Sequence, residues 1–344
     1  MAKKSNMNRV TLAQVAERAG VSPGAVSQVL NEHPQARIST NARERINRAV
    51  EELGYRPNMV ARSLRMAKSG TFGFISDSVT ITRHATGMLR GALRAADDSD
   101  HFLLIAETGG DPARERRAVE SLLDRGVDGI VFAAMKSRHL AHYPLPRGVP
   151  HVNVNLSHSD GAVAVLPDEF AAGRDSVRLL AEAGHRDGIV VVGHDLAPGN
   201  DPTLAVTARR RLDGIAHEMD ARGMRPLGEF RCDDWEPEFG YEAAKRALGL
   251  RGLSAMLCLN DRIAVGAYQA VVESGKSIAV DVSVMSFDDD EIAAALRPGL
   301  TTIAMPHEAM GATAIQVLTA AAPPSGDVFI PMSIQVRGSI GSRL

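Results

Sequence analysis

Cysteine is scarce in this chain: only Cys232 and Cys258 occur, and their separation fits no metal-ligand pattern. A disulfide-stapled secreted scaffold and a zinc module of cysteines are thereby excluded. The two read as small hydrophobes in a reducing compartment, with a bridge between them as the alternative. No apolar run approaches the roughly 18 residues needed to cross a bilayer. The N-terminus, MAKKSNMNRV, is basic, but no apolar stretch follows it, so it does not read as a signal peptide. Phosphate-cradling glycine loops of the GxGxxG or GxxxxGK[ST] kind are missing, which argues against nucleotide chemistry. No Ser-His-Asp or Cys-His constellation stands in a recognisable motif. His139 and His142 make an unconvincing metal pair. The run from Asp288 to Glu291 lacks the alternating ligands and the glycine of a calcium loop. The expectation is a protein without catalytic residues, metal or cofactor, and not an enzyme.

What is present is a chain of 344 residues, long enough for two or three domains, with 44% hydrophobic residues to build their cores. The net charge of -2 conceals an asymmetry. Residues 1–70 carry 12 Lys and Arg against 5 Glu and no Asp, whereas the remainder carries 27 bases against 36 acids. A basic head on an acidic body suggests that the head alone meets a polyanion, although a solvated basic face would have the same composition.

The segment TLAQVAERAGVSPGAVSQVLN explains the head further. Thr11 and Gln14 have the spacing of a capping box, which starts a helix. Leu12, Val15, Ala16 and Ala19 share one face. Gly20 is placed to end that helix in a left-handed conformation. Ser22 and Pro23 supply the cap and first position of a second helix, whose buried stripe is Val26, Val29 and Leu30. A third helix fits after Ser39, through Ile46, Ala49, Val50 and Leu53, and stops at Gly54. Helix, glycine-containing turn, helix is the arrangement that reads DNA, with a generic helical hairpin as the alternative.

From about residue 71 strands and helices alternate. Apolar runs occur at TFGFIS, HFLLIAE, DGIVFAA, PHVNVN, GIVVVG, SAMLCL and VSVMSF. Helical segments separate them, among them 111–125, 169–184, 203–222, 237–249 and 261–274. This order predicts parallel sheets with helices on both faces, and ligands in such α/β folds sit beyond the carboxyl ends of the strands. Glu107 and Asp111 beside Gly109-Gly110 read as turn chemistry. Asn260 reads alone as a helix cap, Asp288 as a cap, Arg211 as a partner of Asp213 or Glu218, and Trp235 as a loop-packing aromatic.

The stretch from Val10 to about Ser69 resembles the head of the lac repressor (LacI) family, through TLAQVAERAGVS…VSQVLN and RERINRAVEELGYRPNMVARSL. The resemblance implies that the second helix lies in the major groove with Pro23, Gly24 and Gln28 toward the bases. Gln28 suits a bidentate contact with adenine. Many relatives carry Arg there, so the operator of this protein should differ from theirs. Thr11, Ser22, Ser27 and Asn31 join the DNA-facing set as phosphate contacts or caps. Asn58 to Leu64 resembles the family's hinge helix, with Leu64 as the minor-groove wedge and Ala61 beside it. A helix this short is marginal alone, so a ligand can melt it.

The similarity continues through GGDPARERRAVESLLDRGVDGIVF, LLAEAGHRDGIVVVG, ARRRLDGI, LCLNDRIAVGAYQAV, VSVMSFDD and LRPGLTTI. It implies a head at 1–57, a hinge at 58–69, and a two-lobed core at 70–344 like periplasmic sugar-binding proteins. The lobes would be about 70–166 with 301–323, and 167–300 with 324–344. Crossings would fall near Leu166-Pro167, Leu300-Thr301 and Pro323-Pro324. Ligand-facing positions would be Asp77, Asn155, Arg211, Trp235, Asn260, Asp288 and His307, the last beside Met305. Relatives of the lac repressor type have an aromatic at His307. The loop 79–84 lacks the family's Pro-Phe, and Arg83 and His84 there would face either the cleft or water. The resemblance implies a cytoplasmic, nucleoid-associated homodimer, without the C-terminal leucine heptad of tetramers. It would bind near-palindromic operator DNA and release it when a small sugar, a mono- or oligosaccharide, enters the core. A ligand acting as corepressor, and a sugar-binding protein without operator affinity, remain the alternatives.

Overall fold

A computed structural model describes residues 10–30, 38–56, 68–78, 83–139, 145, 148–157, 162–197 and 206–343. The expectations for Asn31, for the loop 79–82 and for the hinge residues Asn58, Ala61 and Leu64 fall outside these. The chain divides into two compact units, Met1–Ser69 and Gly70–Leu344.

The first unit is three helices: α1 (Leu12–Ala19), α2 (Pro23–Leu30) and α3 (Thr40–Leu53). The capping box forms as its residues dictate. The Thr11 hydroxyl accepts from the Gln14 amide, and the Thr11 amide donates to the Gln14 side chain at 2.8 Å. Ser39 caps α3, and Gly20 and Gly54 end α1 and α3 in the left-handed region, where a side chain would be strained. Val15, Ala16, Ala19, Val26, Val29, Ile46 and Ala49 form one small core, which fixes how α2 stands against its neighbours.

The second unit contains two six-stranded sheets. The first lobe holds β1 (Thr71–Ser76), α4 (Arg83–Asp98), β2 (Phe102–Glu107), α5 (Pro112–Asp124), β3 (Gly129–His139), β4 (His151–Ser157) and β5 (Val163–Pro167). The second holds α6 (Glu169–Glu182), β6 (Ile189–Gly193), α7 (Val206–Ala221), β7 (Gly228–Arg231), α8 (Pro237–Ala247), β8 (Ala255–Cys258), α9 (Asp261–Glu273), β9 (Ser283–Asp288), α10 (Glu291–Ala295) and β10 (Thr301–Ala304). The chain then runs through α11 (His307–Thr319), β11 (Val328–Ile330) and β12 (Ser333–Gln335). The sheet orders are β11-β5-β4-β3-β1-β2 and β12-β10-β9-β8-β6-β7, all parallel except β12. Both lobes thus reverse strand order at the same place, between β1 and β3 and between β6 and β8, where α/β folds open a crevice. None of the described helices is long and apolar enough to cross a membrane. Arg83 and His84, expected in a loop, lie in the first turn of α4.

The first lobe crossing follows β5, at 167–168. The other two lie later than the sequence suggested. Thr301–Ala304 is a strand of the second sheet, paired with β9, so the second crossing falls at 305–306 and not at Leu300-Thr301. Its helix α11 packs on α4 of the first lobe. The third crossing is the link Pro331-Met332 between β11 on the first sheet and β12 on the second, not Pro323-Pro324. That proline pair follows the end of α11 and starts the connection to β11, as residues lacking an N–H commonly do after a helix. The first and third crossings run side by side, the Asp168 amide donating to the Ile330 carbonyl at 2.9 Å.

Helix spacing is set by glycines that admit a neighbouring backbone. A Cβ at Gly173 of α6 would collide with the Arg211 carbonyl of α7, and one at Gly214 of α7 with the Phe170 carbonyl of α6. The α6–α7 contact is therefore reciprocal and close, and it brings the start of α6 against Arg211.

Candidate functional site

On the head, α2 turns Val26 and Val29 inward and leaves Ser22, Pro23, Gly24 and Gln28 exposed. The Ser22 hydroxyl accepts from the Ala25 amide at 3.2 Å, so it caps the helix that presents this face. Thr11 is likewise exposed and occupied by its capping box, and Ser27 is half-buried. Gln28 is the one exposed side chain in this patch that offers both a donor and an acceptor on a planar amide.

In the core, candidate residues fall into two groups and one outlier. The first group frames the middle of β3. Asp77 follows β1, and its Oδ1 accepts from the Met135 amide at 3.1 Å and the Ser78 amide at 2.7 Å. Asn155, near the end of β4, donates through Nδ2 to the carbonyls of Ala134 and Met135 at 3.1 and 3.0 Å. Both side chains therefore converge on Met135. The buried Asn155 Oδ1 has no hydrogen-bond partner among the described residues. An unsatisfied buried acceptor is costly, so this oxygen stands out among the buried polar atoms of the first lobe.

The second group lies at the carboxyl ends of β8 and β9. Arg211 projects from α7, with its guanidinium over the Phe287 ring, 4.3 Å from its centroid. Its fork is filled from within: Nε and Nη2 donate to the two carboxylate oxygens of Glu169 at 2.6 and 2.7 Å. Nη1 donates to the Leu259 carbonyl. Asp288 Oδ1 stands 3.5 Å from Nη2. Arg211 is 3% exposed and Glu169 2%, so their pair is buried. Asp288, with a third of its side chain exposed, is the member of the group most open to solvent. Burial pushes the Glu169 carboxyl up, while Arg211 pulls it back down. Asp261, the first residue of α9, lies beneath. It accepts from Ser286, from Thr302 at 2.8 Å and from the Asp290 amide at 2.6 Å. Burial first, and the Asp288 charge second, push its carboxyl up to about 7.

Asn260 and Trp235 adjoin this group. Asn260 Oδ1 accepts from the Ile263 amide at 2.8 Å as the N-cap of α9, and Nδ2 donates to the Trp235 carbonyl at 3.1 Å. The Asn260 side chain is thus occupied with cap and loop, as the cap reading of the sequence anticipated. Trp235 is half-buried and packs on the core of the second lobe. The outlier is His307, which opens α11 in the first lobe and sits against Gly87 of α4.

Backbone geometry marks the same places. Asn155, Asp288 and Asp289 take φ of 54°, 107° and 55°, in the left-handed region that non-glycine residues seldom adopt. Such strain gathers at binding sites, where surrounding structure holds it in place. Sequence reasoning missed Glu169, Asp261 and Met135. Glu169 looks like an ordinary acidic residue in a helix's first turn, and its partner is 42 positions away. Arg211 takes neither Asp213 nor Glu218: Arg209 pairs with Asp213, and Arg174 and Arg222 with Glu218. Asp288 leaves the capping of α10 to Asp290.

Residues 11–58 match the family model of bacterial regulatory proteins, lacI family, and residues 177–340 match the periplasmic binding protein-like domain. The ribose operon repressor of Escherichia coli K12 is 30% identical over 90% of this chain and 92% of its own length. The chain belongs to the lacI family of bacterial regulatory proteins. The lactose operon repressor of the same strain is 29% identical over 96% of this chain and 91% of its own. In three dimensions the chain is similar to the Lac repressor dimer bound to operator and the anti-inducer ONPF. The TM-score is 0.73 at 26% identity, covering 96% of this chain and 99% of that one. Head, paired lobes and their order along the chain are those of the lacI family.

Proposed function

We propose that this chain is a sequence-specific DNA-binding transcriptional repressor, not an enzyme, that binds a near-palindromic operator as a homodimer and is released by a small sugar. It would act in the cytoplasm, at the nucleoid. The observation that carries the reading is the union, on one chain, of a capped reading helix exposing Gln28 with a two-lobed core whose polar residues cluster at strand ends. Asp288, the Asn155 acceptor and the Trp235 ring together offer hydroxyl partners and an apolar face, the usual requirements of a sugar site. Similarity to the ribose and lactose operon repressors supports a sugar over other effectors. A two-fold protein suits a two-fold operator. The mechanism is a population shift: a ligand that binds one lobe arrangement more tightly moves the equilibrium by that difference and no more.

Selection of bound sequences from random duplex DNA, at stated salt, tests the reading. A palindrome released by a sugar supports it. A palindrome recovered only when sugar is present makes the ligand a corepressor. Recovery of no motif with or without sugars sinks the operator reading.

A further inference from the structure

Arg211 is a buried cation enclosed by carboxylates. Glu169 takes the two parallel N–H groups with which a guanidinium would otherwise clasp a phosphate or carboxylate. Asp288 stands 3.5 Å from the same nitrogen, and Asp261 bears on the guanidinium electrostatically. The remaining Nη1 contact goes to the Leu259 carbonyl. The cluster therefore holds one positive charge against three carboxyl groups, at the strand ends where an effector would lie. An anionic ligand arriving there would meet the exposed Asp288 first, with the Arg211 side chain only 4% exposed behind it.

The spacing that permits this is built into the backbone. Glu169 reaches Arg211 because Gly173 and Gly214 let α6 and α7 approach until each backbone touches the other's glycine. A side chain at either position would force the helices apart.

We infer that Glu169 is a specificity-determining residue of the effector site: by occupying the fork of Arg211 it excludes sugar phosphates and sugar acids and reserves the cleft for uncharged or amine-bearing sugars. Glu169 acts through Arg211 and need not touch the sugar. The inference rests on the reading of the core as a sugar-binding clamp.

The test uses the full chain and calorimetric titration. Inorganic phosphate, against chloride at matched ionic strength, is the first probe because it requires no knowledge of the effector. Wild type should bind it no better than a Glu169→Gln/Arg211→Gln double variant. Glu169→Gln alone should bind at least about tenfold more tightly, since it keeps side-chain volume but removes the negative charge and one of the two acceptors that fill the fork. Equal phosphate affinity of wild type and Glu169→Gln overturns the inference. Removal of one partner of a buried pair can prevent folding, so the second arm uses wild type alone. Ribose is compared with ribose 5-phosphate, and glucose with glucosamine and glucose 6-phosphate. Any sugar that binds should do so at least about tenfold better than its phosphate. A phosphate ester that binds as well as its parent sugar overturns the inference and leaves the sugar-clamp reading intact. Phosphate binding gained by Glu169→Gln, with no sugar bound by wild type, supports the role of Glu169 and counts against the clamp reading.

Discussion

The side-chain amide of Asn260 donates to the main-chain carbonyl of Trp235 at 3.1 Å, tying the loop before α8 to the start of α9. The opposite atom of the same side chain caps α9. Replacement by Ala removes both bonds and should destabilise the protein by about 1 kcal/mol, the usual value of a helix cap. Asn260→Asp keeps the cap but not the donor. Because Trp235 is the only tryptophan, its fluorescence reports the loop alone. Both variants should shift its emission to longer wavelength and lower the urea midpoint, Asn260→Asp because a carboxylate at this buried position faces the Trp235 carbonyl. Unchanged emission in Asn260→Asp would deny the tie.

Gly214→Ala should destabilise the protein by roughly 1–3 kcal/mol, because the added carbon meets the Phe170 carbonyl and the helices must part. Gly326→Ala is the control, since nothing lies within 4 Å of its added carbon. Thermal unfolding of the pair checks this; equal melting temperatures would mean that the helix contact yields without strain.

Asp261 has a folded-state pKa of about 7, above its ordinary value of 3.8. Between those values the folded protein holds more protons than the unfolded chain. The contribution of this group therefore falls as pH rises from about 4 to about 7 and is level above that. Asp261→Asn removes the titration. The stability of wild type relative to the variant should decline across that window, measured by urea unfolding at each pH. A difference that is constant with pH would show that Asp261 does not titrate there.

Gln28→Ala should lose about 1–3 kcal/mol of discrimination at one position in each half-site, and Gln28→Arg should move the preference there from adenine toward guanine. Sequence selection with the three proteins reads this directly. An unaltered preference would place base reading elsewhere on the head.

Edge strand β2 leaves Phe102 76% and Ile105 44% exposed. An apolar sheet edge of this kind calls for a cover, and a second copy of the chain would supply one. Phe102→Glu should shift the protein toward monomer in sedimentation and weaken operator binding with it. A dimer of unchanged stability would put the interface on another face.

Much of the fold was legible because strands such as those in TFGFIS and GIVVVG are largely apolar runs, and because the head's caps are spelled out in Thr11, Ser22, Ser39 and their glycines. Short strands such as β7 and β12 escaped, having too few residues to show a period. The segment that forms α4 did not stand out, since Gly87 and Gly91 speak against a helix. The start of α11 presses on both, the Glu308 backbone on Gly91 and the His307 Cβ on Gly87, and that tertiary contact outweighs propensity. In the site, Asn155 and Asp288 could be placed at strand ends, and Arg211 on a helix, from pattern and resemblance. The occupant of Arg211's fork could not, because nothing near Arg211 in the chain points to Glu169.

The two-residue link between β11 and β12 gives the lobes a shared selvage. Each sheet is hemmed at one margin by a strand from the final stretch of the chain, β11 against β5 and β12 against β10. A nascent polypeptide therefore cannot finish either half before synthesis has passed residue 328, and a stop codon upstream of that point frays both at once. Recombination between relatives by exchanging a single contiguous block would meet the same obstacle: whichever lobe is transplanted, its closing strand must be carried in separately.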